Sequence, residues 1–182
     1  MVLRIYGGFL IMGNVIRFDE NTPIDEWICM SNLTTDVFIN VLSLSGSALA
    51  VTVEEKQLVV WLSEKDQKFV GLGTVGFDIV EMPWKKETFS NDKKFLINVI
   101  KSAEHKLGWE KLNYIPNFIL PDLQKFKEYI ERMTENDVDN NAIREWLDAS
   151  ERTDPINCGF PRCKKHNTLL TIFGCQICSC ET

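Results

Sequence analysis

Five of the six cysteines and one of the two histidines lie within residues 158–180, CGFPRCKKHNTLLTIFGCQICSC, in the order C-x4-C-x2-H-x8-C-x2-C-x-C. Two chelating pairs stand out, Cys163 with His166 and Cys175 with Cys178. A two-residue gap lets one tight turn aim both donors at a single ion. A closed zinc site takes four such ligands, with thiolate at about 2.3 Å and imidazole at about 2.0 Å. The first-choice set is Cys163, His166, Cys175 and Cys178, with Cys158 and Cys180 as alternates. Ligands are in surplus and Glu181 is the nearest acid in sequence, so the reading is structural Zn2+ rather than a catalytic ion with an open position. So short a segment cannot build a core of its own, and metal would supply its folding energy.

Arg162, Lys164 and Lys165 sit inside the cluster. Three thiolates and one imidazole around Zn2+ carry a formal charge of −1, which adjacent cations compensate. The same three cations would be the surface for nucleic acid if the tail bound one, although three are few for phosphate affinity. Leu169, Leu170, Ile172 and Phe173, between the chelating pairs, are expected to dock the tail onto the rest of the chain.

Other motifs carry less chemistry. Gly71, Gly73 and Gly76 match G-x-G-x-x-G, but no helix pattern follows them, as dinucleotide binding requires. The reading is a bulge or tight hairpin where two backbones approach. His105, on the first long helix, reads as a surface or boundary residue. Cys29 reads as a small buried hydrophobe. No nucleophile elbow or H-E-x-x-H pattern occurs, so no catalytic residue is assigned.

The elements that must position the tail divide into two halves. Residues 2–6 and 9–18 read as strands about a Gly7-Gly8 turn. Thr22 and Pro23 read as the start of a short helix ending near Ser31 or Asn32. Residues 37–43, 48–53 and 57–62 are β-branched and apolar, which predicts strands, with a hairpin loop at Glu54, Glu55 and Lys56. Residues 68–82 continue as one bent strand or two short ones. Helices are predicted from Ser90 or Asn91 to Leu107, from Pro121 to about Met133, and from Asn141 to Ala149. The fold class is therefore α+β: an antiparallel β-sheet from the N-terminal half packed against helices from the C-terminal half, plus a short C-terminal zinc knuckle. The organisation is a body over 1–150, strand-rich over 1–85 and helical over 90–150, a linker over 151–157 and the knuckle over 158–182. Trp84 and Trp109 read as core aromatics.

Of 182 residues, 45% are hydrophobic and 25% charged, a folded composition, and the net charge is −6. An acidic chain is unsuited to non-specific phosphate binding and suited to a basic protein partner. No stretch is apolar enough to span a membrane. The apolar opening, interrupted by Gly7, Gly8, Gly13 and Asn14, does not read as a signal peptide. The expected compartment is the cytoplasm, where thiols stay reduced. Size, acidity and the α+β layout are similar to those of small bacterial or phage-encoded accessory proteins, including immunity proteins that bind a toxin. No motif carries that likeness. The function expected is a non-enzymatic protein-interaction protein, an inhibitor or immunity-type protein with a structural zinc site. The alternatives are a nucleic-acid-associated factor using the basic tail, and a hydrolase-type enzyme with a cleft between sheet and helices.

Overall fold

A computed structural model describes residues 14–179 together with the short strands β1 (Ile5–Tyr6) and β2 (Phe9–Leu10). These two pair antiparallel, with Tyr6 opposite Phe9. That spacing is the one a two-residue turn requires, and Gly7 and Gly8 themselves lie outside the described residues.

The main sheet has three strands, β3 (Asn14–Arg17), β4 (Ile28–Met30) and β7 (Phe77–Asp78), in the order β4-β3-β7. β3 and β4 are antiparallel, while β7 lies parallel to β3. A second small pair joins β5 (Asp66–Gln67) to β6 (Gly73–Thr74). The helices are α1 (Asn32–Leu49), α2 (Val53–Ser63), α3 (Phe89–Glu104), α4 (Leu120–Arg132), α5 (Asn140–Asp148) and α6 (Gln176–Ser179). The N-terminal half thus carries a small, largely antiparallel sheet, the C-terminal half is helical, and a Cys/His cluster closes the chain. No helix among the described residues is long and apolar enough to cross a membrane.

The strands expected over 37–62 are instead the helical hairpin α1–α2. α1 is buried from Thr35 to Ser47 without a break. A helix enclosed on all sides needs no polar stripe, so its Val37, Ile39 and Val41 imitate a strand. Its start is fixed by Ser31, whose side chain accepts the Thr34 N–H at 3.1 Å. The supposed loop at Glu54, Glu55 and Lys56 is the first turn of α2. There Thr52 and Glu55 form a reciprocal capping box. Gly46 lets the two helices meet, because a Cβ there would lie 2.6 Å from a Val59 methyl.

The helix expected after Thr22 is reduced to one 3₁₀ turn, Ile24–Glu26. The next residues extend as β4, buried at Ile28 and Met30 and exposed at Cys29. Cys29 is therefore an exposed thiol, not a buried hydrophobe. The glycine motif is the close backbone approach expected of it. Gly71 and Gly73 take positive φ in the β5–β6 turn, and a Cβ on Gly76 would sit 2.1 Å from the Val15 carbonyl oxygen.

In the second half the helical spacing is obeyed. Phe95, Leu96, Val99, Ile100 and Ala103 of α3 are buried, as are Leu123, Phe126 and Ile130 of α4. Phe126 meets Phe38 of α1 and Phe77 of β7 edge-on, with centroids 5.3 and 6.2 Å away. Trp84 is wholly enclosed, its Nε1 donating to the Ile79 carbonyl at 2.9 Å. Trp109 also belongs to the core. His105 caps α3 on the surface.

Candidate metal centre

The tail after Asp154 returns across the α1–α2 hairpin, and polar contacts fix its register. Arg162 Nη1 donates to the Ser47 carbonyl at 2.6 Å and to the Asn167 carbonyl at 2.9 Å. The Leu169 N–H donates to Ser47 Oγ at 2.9 Å. Gln176 Nε2 reaches the Ser63 carbonyl at 3.3 Å and Thr171 Oγ1 at 3.0 Å. Beneath these, Leu169 is buried in the main core, and Leu44 of α1 forms a small cluster with Cys175 and Ile177. Of the four apolar residues expected to dock the tail, Leu169 and Leu170 do so, Phe173 is half-buried outside both clusters, and Ile172 is exposed. Arg162 is thus committed to backbone carbonyls, and Lys164 and Lys165 carry the exposed positive charge.

Two turns present the donors. In the first, the Asn167 N–H returns to the Cys163 carbonyl at 2.9 Å and the His166 N–H points at Cys163 Sγ at 3.5 Å. Asn167 takes positive φ to complete it, a conformation asparagine tolerates better than most residues. Lys111 Nζ anchors the turn from outside at the His166 carbonyl, 2.9 Å away. A bridge between Arg162 and Leu169 closes its base. In the second, Thr171 and Gly174 pair in a tight reversal, with Gly174 at φ 85°. Cys175 immediately precedes α6 and Cys178 lies within it.

The result is one cluster. Cys163 Sγ, His166 Nδ1, Cys175 Sγ and Cys178 Sγ all lie within 4.8 Å of one another. His166 Nδ1 is 3.8, 3.5 and 3.3 Å from the sulfurs of Cys163, Cys175 and Cys178. Cys163 Sγ and Cys178 Sγ are 3.7 Å apart. A tetrahedron built on zinc's bond lengths has S–S edges of about 3.8 Å and S–N edges of about 3.5 Å. These separations fit one ion in the middle, bound through Nδ1 of the imidazole. Cys175 and His166 are buried, and Cys163 and Cys178 are half-buried. Thr168 Oγ1, 3.2 Å from Cys175 Sγ, adds a hydrogen-bonding partner outside the donor set.

Cys158 is not in this group; it is exposed, with its thiol 3.6 Å from the Arg152 carbonyl. Cys180 lies outside the described residues. The five described cysteines are free thiols.

The thiols respond unequally to their crowding. Burial pushes the Cys163 thiol up, but the His166 and Lys165 backbone N–H groups and the neighbouring thiols more than offset it and hold it below its ordinary value. Burial, followed by the Cys163 and Cys175 sulfurs, pushes Cys178 up to about 12. Three sulfurs this close cannot all ionise without a cation among them. A divalent ion held by Cys163, His166, Cys175 and Cys178 would supply that charge and stabilise all three as thiolates.

Comparison with known proteins assigns no family: no family model matches the chain, and no curated protein or solved structure matches it significantly.

Proposed function

We propose that the protein is a non-enzymatic interaction protein whose tail is stapled to its body by structural Zn2+, and whose acidic surface receives a basic protein partner. The metal part rests on the donor set and its spacing. Three sulfurs and one nitrogen suit zinc better than a hard cation, and four protein ligands leave no position for substrate.

The observation that carries the partner reading is where the charge lies. Residues 128–154 contain nine acidic and three basic side chains, a net −6 equal to that of the whole chain. Seven of the nine acids are exposed, among them Glu131, Glu135, Asp139 and Glu145. They run from the end of α4 through α5. One of the three cations, Arg132, is already paired with Glu26 at 2.8 Å. A surface of one sign steers an oppositely charged partner and rejects like charge. An inhibitor or immunity-type role in the cytoplasm is the specific form of this reading.

The test is capture of partners from a reducing lysate by the wild type and by Glu131→Lys/Glu135→Lys/Asp139→Lys. A basic protein retained by the wild type at low salt, released as salt rises and lost by the triple variant supports the reading. Partners indifferent to both salt and charge reversal remove it.

A further inference from the structure

The four donors are not equally accessible. Cys175 and His166 are buried, whereas Cys163 and Cys178 are half-buried, and their sulfurs stand 3.7 Å apart. An oxidant arriving from solvent therefore meets these two first, already adjacent. They also come from opposite sides of the cluster, Cys163 from the first turn and Cys178 from α6, fifteen residues later. A bond between them would join the same two pieces of chain that the ion joins.

We propose that Cys163 and Cys178 form a peroxide-sensitive pair that exchanges the zinc staple for a disulfide, releasing the metal while the tail stays docked. This rests on the structural-zinc reading. In the first step one sulfur attacks a peroxide oxygen, an S–O bond forms, the O–O bond breaks and hydroxide leaves. The second sulfur then displaces the oxygen as another hydroxide, and two protons from solvent complete two waters. The thiolates lose two electrons and the peroxide gains them. Cys175 and His166 remain as two ligands, too few to hold Zn2+. The Arg162 and Leu169 contacts with Ser47 do not involve the sulfurs, so they survive the exchange.

The experiment uses the full chain carrying Cys29→Ser, Cys158→Ser and Cys180→Ser, loaded with zinc and treated with one equivalent of hydrogen peroxide. The expected result is release of the bound zinc to a chromogenic chelator and a mass loss of two hydrogens. Peptide mapping should find a Cys163–Cys178 link. Amide exchange at Leu169 and Thr171 should stay slow in the oxidised protein and become fast in reduced protein stripped with a chelator. Retention of zinc under peroxide overturns the proposal but leaves the zinc reading intact. So does a link through Cys175, or loss of amide protection equal to that of the stripped protein. A chain that never binds zinc overturns both.

Discussion

Phe126 and Cys175 are both buried, but what surrounds them differs. Around Phe126, rings from α1 and β7 interlock with the α4 face, inside a core cluster drawn from β3, β4, β7 and α1 to α4. Around Cys175 there is a small apolar cluster with Leu44 and Ile177, and beyond it donors aimed at one point. The body is held by apolar burial distributed over many residues. The tail adds only Leu169 and Ile156 to the buried residues of that core and rests a small apolar cluster on Leu44; the rest of its anchorage is polar contacts and four donors whose contribution would appear only with a metal ion. Damage to one region should therefore differ in kind from damage to the other.

The largest effect should come from the metal. Chelation, or His166→Ala, should abolish amide protection over 163–178 while the exchange of α3 and α4 changes little. Hydrogen exchange with and without chelator checks this. Melting of the whole chain on chelation would mean that the tail is part of the body's core rather than an attachment to it. Next comes the opposite perturbation. Phe126→Ala removes a fully buried ring and should cost about 3–5 kcal/mol of global stability. Denaturant unfolding measures this, and zinc content should stay at the wild-type value below the transition.

This contrast also explains what could be read from the sequence. The tail was legible because ligand identity and spacing are local: Cys163 with His166, and Cys175 with Cys178, each need only one turn. α3 and α4 were legible because each buries a single face, so Phe95, Leu96, Val99 and Ile100 recur at helical spacing. α1 was not, because enclosure on all sides erases that periodicity and leaves β-branched residues as the dominant signal. α2 reads as a loop and a strand by its apolar run, although Thr52 and Glu55 carry T-x-x-E, a helix-start signature that the structure uses as a capping box. Cys29 was misjudged because exposure on a strand depends on register, and register depends on β3, fourteen residues earlier. The contacts between the tail and Ser47 depend on pairings more than a hundred residues apart, to which local pattern is blind.

A third effect belongs to the contact between the end of α2 and α5. Glu64 ends α2, and its carboxylate accepts the Trp146 Nε1–H of α5 at 2.9 Å. Desolvation pushes it up to about 7, with nearby Asp154 adding to the rise, and the Trp146 hydrogen bond and Lys65 opposing it. Burial raises Asp154 as well, and lowers Lys65. The folded chain therefore holds this proton more tightly than the unfolded chain, whose value is 4.5. Glu64's contribution is complete below about pH 4.5 and falls as pH rises through about 7, by about 3 kcal/mol. Glu64→Gln should flatten stability across that window and leave the protein more stable than wild type at pH 8. An unchanged slope in urea titrations from pH 5 to 8 would place the proton elsewhere.

The smallest effect tests whether the tail's docking is separable from its metal. Ser47 is buried on α1, where its Oγ accepts the Leu169 N–H. Ser47→Ala removes that acceptor and leaves a buried backbone donor unsatisfied, which costs about 1–3 kcal/mol in the docked state. The Arg162 contact survives, because it uses the Ser47 carbonyl rather than the side chain. If metal and docking are coupled, the loss should appear as weaker zinc affinity, roughly five- to 150-fold over that range at about 1.4 kcal/mol per decade. The global unfolding of the body should move much less. Competition with a chromogenic chelator measures the first and urea unfolding of the stripped protein the second. A variant with wild-type zinc affinity would mean that the Cys/His cluster assembles without α1 beneath it, and that the tail is an independent module resting on the body.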